Sequence, residues 1–121
     1  MARIVKIPSF SDHRGSLHVL ENIVPFEIKR VYFIHGVPGY DRGGHRHKTS
    51  TQALVCVKGS CTIYNHNGHT ENEFILDSSE KCLIVNPEDW HIMKDFSDDA
   101  VLLVLASTPY DINDYIDQPY S

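Results

Sequence analysis

His45 and His47 stand one residue apart in the stretch Gly43-Gly44-His45-Arg46-His47, just ahead of a run that alternates toward Gly59. In an extended chain, side chains at i and i+2 leave the backbone on one face. Both imidazoles can therefore enter a single pocket while Arg46 points away. Such a pair has three readings. Neutral imidazoles can ligate a transition ion, with His91 as a third donor. They can move protons near neutral pH, because the ordinary histidine pKa is about 6.5. Or they can be packed structurally in a sheet.

The elements that must position these residues are short and extended. Apolar segments separated by turn residues predict strands over 16–21, 28–35, 44–48, 52–58, 61–66, 73–77, 81–85, 91–95 and 101–107, the pattern of an all-β sandwich or barrel. Two sheets packed face to face would bury Leu54, Val55, Val57, Ile63, Leu83, Val85, Leu102 and Val104. Gly59-Ser60 reads as a tight turn and Asn67-Gly68 as a two-residue hairpin. The tail beyond Pro109 differs in kind: Asp111, Asp114 and Asp117 alternate with Ile112, Tyr115 and Ile116, which allows a short helix capping the barrel.

A chain of 121 residues suits one domain, 1–121, with one core. Cys56, Cys61 and Cys82 show neither C-x-x-C spacing nor an even count, so neither a disulfide framework nor a zinc knuckle is expected. No apolar run approaches the roughly 20 residues of a membrane span, and a soluble, cytoplasmic protein is expected. The net charge of −5 hides an asymmetry: residues 1–70 carry nine Lys/Arg against four Asp/Glu, residues 71–121 two against twelve. Cations including Lys29, Arg30, Arg46 and Lys48 surround the paired histidines in sequence and would suit an anionic ligand such as a phosphate. The acidic total, without a lysine-rich face, opposes nucleic-acid binding.

From Gly39 there are five residues to His45, then His-x-His, four residues to Gln52 and six to Gly59. That spacing resembles the first motif of the cupin superfamily of jelly-roll barrels, and Pro87, His91 and Asp95 resemble a shortened second motif, with Asp89 near the place of its glycine. Gln52 stands where metal-binding cupins carry a glutamate. A neutral amide is a weaker donor for a divalent ion, which moves the reading of His45 and His47 from ligands toward acid–base groups.

The blocks HRGSLHVLE, VPFEIKRVYFI, RGGHRHKTSTQALVCVKGSC, LIVNPEDWHIMKDFSDDAVLLVLAS and YDINDYI resemble, in order and spacing over residues 4 to 117, the sugar 3,4-ketoisomerases of the WxcM-like cupin group. The resemblance implies a jelly-roll barrel, a dTDP-linked 4-keto-6-deoxy sugar as substrate, no metal or other cofactor, and a homodimer, often with exchanged strands. It also implies a place in the synthesis of dTDP-linked amino sugars. Members commonly have alanine between the histidines and tyrosine at the place of Phe33, so Arg46 and Phe33 are departures.

Moving a carbonyl from C4 to C3 is acid–base work throughout: the C3 proton leaves, an enediolate forms, C4 is protonated, and a proton passes between the oxygens. On this reading His45 and His47 divide the carbon and oxygen transfers, and Tyr32 polarises or protonates an oxygen. The competing reading of Tyr32 is a core aromatic. Arg14 and Arg42, in glycine-adjacent turns, are expected to hold the diphosphate through bidentate guanidinium contacts, with Lys48 as a third cation. Gln52 and His91 are expected to line the substrate pocket. A metal-dependent cupin, a sugar epimerase and a non-catalytic nucleotide-sugar-binding module remain alternatives at this stage.

Overall fold

The computed structural model describes all residues, Met1–Ser121. It contains twelve strands: β1 (Arg3–Lys6), β2 (Ser9–Asp12), β3 (Gly15–His18), β4 (Arg30–His35), β5 (Arg42–His47), β6 (Gln52–Lys58), β7 (Cys61–His66), β8 (Glu71–Leu76), β9 (Lys81–Val85), β10 (Trp90–Lys94), β11 (Val101–Ala106) and β12 (Tyr115–Ile116). A single 3-10 turn, Ile112–Asp114, precedes β12.

Two five-stranded antiparallel sheets form, in the orders β1-β9-β6-β11-β4 and β12-β5-β10-β7-β8. Period-two alternation decides which side chains lie between them. Leu54, Cys56, Leu83, Val85, Leu102 and Val104 of the first sheet meet Cys61, Ile63, Leu76 and Met93 of the second in one buried cluster. Burying each such aliphatic side chain contributes about 1.5–3 kcal/mol relative to leaving it in water. The first sheet has a second apolar face. There Ala53, Val55, Cys82, Ile84 and Leu105 are covered by Leu20, Ile23, Val24 and Phe26 from the segment after β3.

Strands 52–58, 61–66 and 81–85 fall where expected, and the other expected strands are displaced by a few residues at their ends. The differences have local causes. Val57 is 44 % exposed, not core, because the outer face of β6 is covered over Ala53 and Val55 but not as far as Val57. Val55 is buried, but in that outer cluster and not between the sheets. The Asn67-Gly68 connection is a four-residue loop: Asn67 Oδ1 accepts from the backbone N–H groups of His69 and Thr70, both at 2.8 Å, so the side chain closes the turn. The tail forms no capping helix of regular length. Asp111 accepts from Asn113 N at 2.9 Å and starts one 3-10 turn, after which Tyr115 and Ile116 pair with β5.

Strands β1, β2 and β12 were not expected from the sequence, and residues 19–21 do not continue β3. The hairpin β2–β3 carries mostly polar residues and belongs to neither sheet; its tip is set by Asp12, which accepts from Arg14 N at 2.8 Å.

Gly59-Ser60 is not a hairpin turn. β6 and β7 lie in different sheets, so these two residues make the corner where the chain crosses from one to the other. Gly59 has φ +69°, and a Cβ there would come within 2.9 Å of the Ala100 Cα and closer still to Ser97 and Asp99. Gly59→Ala is therefore expected to cost about 1–3 kcal/mol, measured as a lower urea midpoint with an unchanged m-value.

Candidate active site

β5 and β10 lie side by side, and their register brings His45 directly opposite His91. That register depends on an irregularity. His91 pairs with His45 but Ile92 pairs with Gly43, so Gly44 is an extra residue, a β-bulge. Gly43 and Gly44 take φ of +89° and +78°, and a Cβ on Gly43 would lie 2.9 Å from the His91 carbonyl oxygen. The glycine pair thus lets β5 press against β10 and aim His45 and His47 between the sheets.

The three imidazoles form a compact cluster. Ring centroids are 5.1 Å apart for His45–His47 and for His45–His91, both edge to face, and 6.1 Å for His47–His91. One ring nitrogen from each lies within 4.8 Å of the others. Such a donor set could hold a transition ion, although Gln52 adds a neutral amide to it and not a carboxylate.

The outer nitrogens of two imidazoles are committed. His47 Nδ1 stands 3.0 Å from Asp114 Oδ2, and His91 Nδ1 stands 3.1 Å from the Asp89 carbonyl oxygen. Both partners only accept, so each Nδ1 carries the proton and each Nε2 presents a lone pair. Both Nε2 atoms are buried and without a hydrogen-bond partner.

Asp114 is fixed in turn. Its Oδ1 accepts from the Thr49 amide and hydroxyl, each at 2.8 Å, and its backbone carbonyl accepts from Lys48 N at 2.9 Å. Burial works to raise its pKa, but the Thr49 donors and His47 outweigh it, and the carboxyl is held below its ordinary value. Burial, reinforced by the neighbouring His47, lowers His45 to about 4. Burial lowers His91 to about 3. His47 is also lowered by burial, while Asp114 pulls the other way. Near neutral pH all three rings are uncharged, and His47 alone has a carboxylate in direct contact to stabilise its protonated form, while Asp117 acts on His45 only through its charge.

The opposite sheet supplies the far wall. Gln52, at 1 % exposure, donates from Nε2 to the Tyr32 hydroxyl at 3.4 Å and leaves Oε1 unpartnered. Burial raises the Tyr32 pKa, against the pull of the Arg30 charge. The Arg30 guanidinium carbon lies 4.3 Å from the Tyr32 ring centroid and 5.1 Å from that of Tyr110. Arg30 Nη1 also donates to the Tyr115 hydroxyl at 3.1 Å. The Tyr115 ring closes over the cluster, 4.7 Å from both His45 and His47.

Of the residues singled out from sequence, His45, His47 and His91 come together, with Tyr32 and Gln52 forming their own contact on the facing sheet. Arg14, Arg42 and Lys48 do not join them within one chain. Arg14 sits on the exposed β2–β3 tip, ion-paired to Asp12 at 2.6 Å. Arg42 is exposed at the start of β5 and lines a separate hollow with His35, Val37, Tyr40 and Asp41. Lys48 is exposed at the end of β5. Sequence reasoning counted Arg30 only among the cations around the histidines, without a place in the pocket, and missed Asp114 and Tyr115. Arg30 had a usable signal, since it lies two residues before Tyr32 on the same strand. Asp114 and Tyr115 had only their place in the YDINDYI block.

The chain is similar in sequence and fold to proteins of known structure and named activity. A curated relative from Aneurinibacillus thermoaerophilus, a TDP-4-oxo-6-deoxy-alpha-D-glucose-3,4-oxoisomerase, is 44 % identical over 119 residues, covering 96 % of this chain and 86 % of its own. The TDP-quinovose 3,4-ketoisomerase of Campylobacter jejuni superposes with a TM-score of 0.92 at 41 % identity, covering 97 % of this chain and 92 % of that one. A mutant 3,4-ketoisomerase from Thermoanaerobacterium thermosaccharolyticum, solved with TDP-4-keto-6-deoxyglucose, gives a TM-score of 0.91 at 37 % identity over 97 % and 87 % of the two chains. The family model described as FdtA: WxcM-like, C-terminal matches residues 1–121, and the chain belongs to that family.

Proposed function

We propose that this protein is a nucleotide-sugar 3,4-ketoisomerase that moves the carbonyl of dTDP-4-keto-6-deoxyglucose from C4 to C3 without a metal. The observation that carries the mechanism is the Asp114–His47 pair: a buried base whose Nδ1 proton is held by a carboxylate and whose Nε2 faces inward unpartnered. His47 Nε2 takes the C3 proton, the electron pair forms the enediolate, and the resulting imidazolium, stabilised by Asp114, returns a proton to C4. His45, at the mouth of the cluster, passes the proton between the C3 and C4 oxygens. Tyr32 donates to the enediolate oxygen, and Arg30, stacked on its ring, stabilises the negative charge. His91, with no anion beside it, stays neutral and accepts a hydrogen bond from a sugar hydroxyl.

Metal independence is supported by how the charges are arranged. The one carboxylate touching the cluster is spent on orienting His47, and the cupin ligand position is filled by the amide of Gln52. Treatment with a chelator is expected to leave turnover unchanged, while a stoichiometric metal whose removal abolishes turnover would overturn this part. The reaction itself is tested by incubation with dTDP-4-keto-6-deoxyglucose in deuterated water. A C3-keto product is the expected result, with deuterium at C4 to the extent that the His47 imidazolium exchanges with solvent before it delivers its proton. Deuterium at the starting keto sugar with inverted C3 or C5 would make the protein an epimerase, and tight binding with no exchange would make it a binding module.

The protein is a cytoplasmic homodimer in this proposal, serving synthesis of dTDP-linked amino sugars for O-antigen or other surface glycans. Its three cysteines are buried free thiols, which suits a reducing compartment. Two exposed apolar areas support the dimer: Val31 and Phe33 on β4, at 59 % and 62 %, and Phe10 and Leu17 on the β2–β3 hairpin, at 64 % and 62 %. A second copy covering these would seat the hairpin and its Arg14 beside a partner, where Arg14 can serve the diphosphate. Phe33→Asp is expected to halve the mass seen by light scattering, and a monomeric wild-type protein would refute the dimer.

A further inference from the structure

Arg46 projects from β5 to the face opposite His45 and His47, outside the pocket. Its guanidinium carbon lies 4.3 Å from the Tyr120 ring centroid, and its Nη1 donates to the Tyr120 hydroxyl at 3.0 Å. That hydroxyl donates to the Glu88 carbonyl at 2.7 Å, in the loop before β10. The Tyr120 ring stacks on His66 of β7, with centroids 5.3 Å apart, and passes over Gly68, where a Cβ would come within 3.3 Å of it. Between β12 and Tyr120, the Asp117 carbonyl accepts from Trp90 Nε1 at 3.4 Å. Residues 114–120 therefore form a strap across the second sheet.

The strap needs that fastening. Its ladder is only two residues long, Tyr115 with His47 and Ile116 with Arg46, and a pairing of that length is not stable on its own. We infer that Arg46 is a positioning residue: from the outer face of β5 it latches the C-terminal strap through Tyr120, and the strap carries Asp114 and Tyr115 onto the histidines. A guanidinium suits the role because its plane can lie over an aromatic ring while its fork reaches a hydroxyl, which an ammonium cannot do in the same way. His47 is faced by His45 from its own strand, His91 from β10, Arg30 from β4, and Asp114 and Tyr115 from the strap. Only the last two come from the segment that the latch fastens; Asp114 is also held by Thr49 and Lys48, so loss of the latch loosens the partner of Nδ1 without releasing it and leaves the rest of the pocket standing.

This rests on His47 being the base, and the test separates the two. In protein labelled with 15N-histidine, wild-type His47 is expected to show the Nδ1–H tautomer imposed by Asp114. Arg46→Ala and Tyr120→Ala are each expected to shift His47 toward the Nε2–H tautomer and to lower kcat about tenfold with little change in KM. The double variant should be no worse than Tyr120→Ala alone, because that variant already removes the Arg46 contact along with those to Glu88 and His66. Arg46→Lys should recover only part of the loss. An unchanged tautomer in Arg46→Ala, or in Tyr120→Ala should the first variant fail to fold, would overturn the latch. The tautomer is read without substrate, so it reports on the latch even if the isomerase assignment fails.

Discussion

His47→Asn is expected to lower kcat by about 10³-fold while leaving dTDP affinity within a factor of about two. The substitution keeps a donor at roughly the place of Nδ1, so the contact to Asp114 and the packing beneath Tyr115 are conserved in kind. What it removes is the one buried lone pair backed by an anion. The measurement is steady-state isomerisation followed by NMR of the keto sugar, alongside calorimetric titration with dTDP. Turnover near wild type would take His47 out of the carbon transfers and return them to His45. His45→Asn is expected to fall less steeply, because its oxygen transfers can be relayed through water at the half-exposed mouth.

The second large effect is at Asp114. Asp114→Asn preserves shape and one acceptor oxygen but removes the charge that stabilises protonated His47. A drop of about 10²-fold in kcat is expected, less than the roughly 10⁴-fold cost of removing the orienting carboxylate of a Ser-His-Asp triad, because here no serine nucleophile has to be activated. The pH profile supplies the sign. Burial lowers the His47 pKa and Asp114 partly restores it. In the wild type the acid limb of kcat/KM, reporting the free enzyme, should lie below pH 6.5. Without Asp114 the imidazole is harder to protonate, and the limb moves to still lower pH. A limb that stays in place, or moves up, would show that Asp114 does not govern His47.

Much of the barrel was legible because its strands alternate strongly. Residues 53–56 and 82–85 are continuous buried apolar runs and 61–66 alternates buried with half-buried positions, all within strands bounded by turn residues, so local pattern and tertiary outcome agree. The weak elements were invisible for the same reason. β2 reads as polar loop, and β12 exists only because β5 offers it an edge. The site divides along the same line. His45, His47 and Gln52 lie close in sequence at fixed spacing and could be read as a group; His91 followed from a second motif. Asp114 and Tyr115 come from a tail whose charges look solvated in sequence. Nothing local predicts that β12 will pair at His47, or that Thr49 will hold the carboxylate. Arg46 belongs to the same class, because its partner lies 74 residues away.

The edges of the two sheets are treated differently, and this bears on how the protein behaves in concentrated solution. At β5 the Gly43-Gly44 bulge and the short β12 break up the outer edge. At β4 there is neither: six residues run without a bulge at the end of the first sheet, with Val31 and Phe33 exposed. A flat apolar edge invites addition of a foreign strand. Variants that lose their partner without adding charge at β4 should therefore aggregate through this edge, whereas Phe33→Asp, which places a carboxylate on it, should remain dispersed.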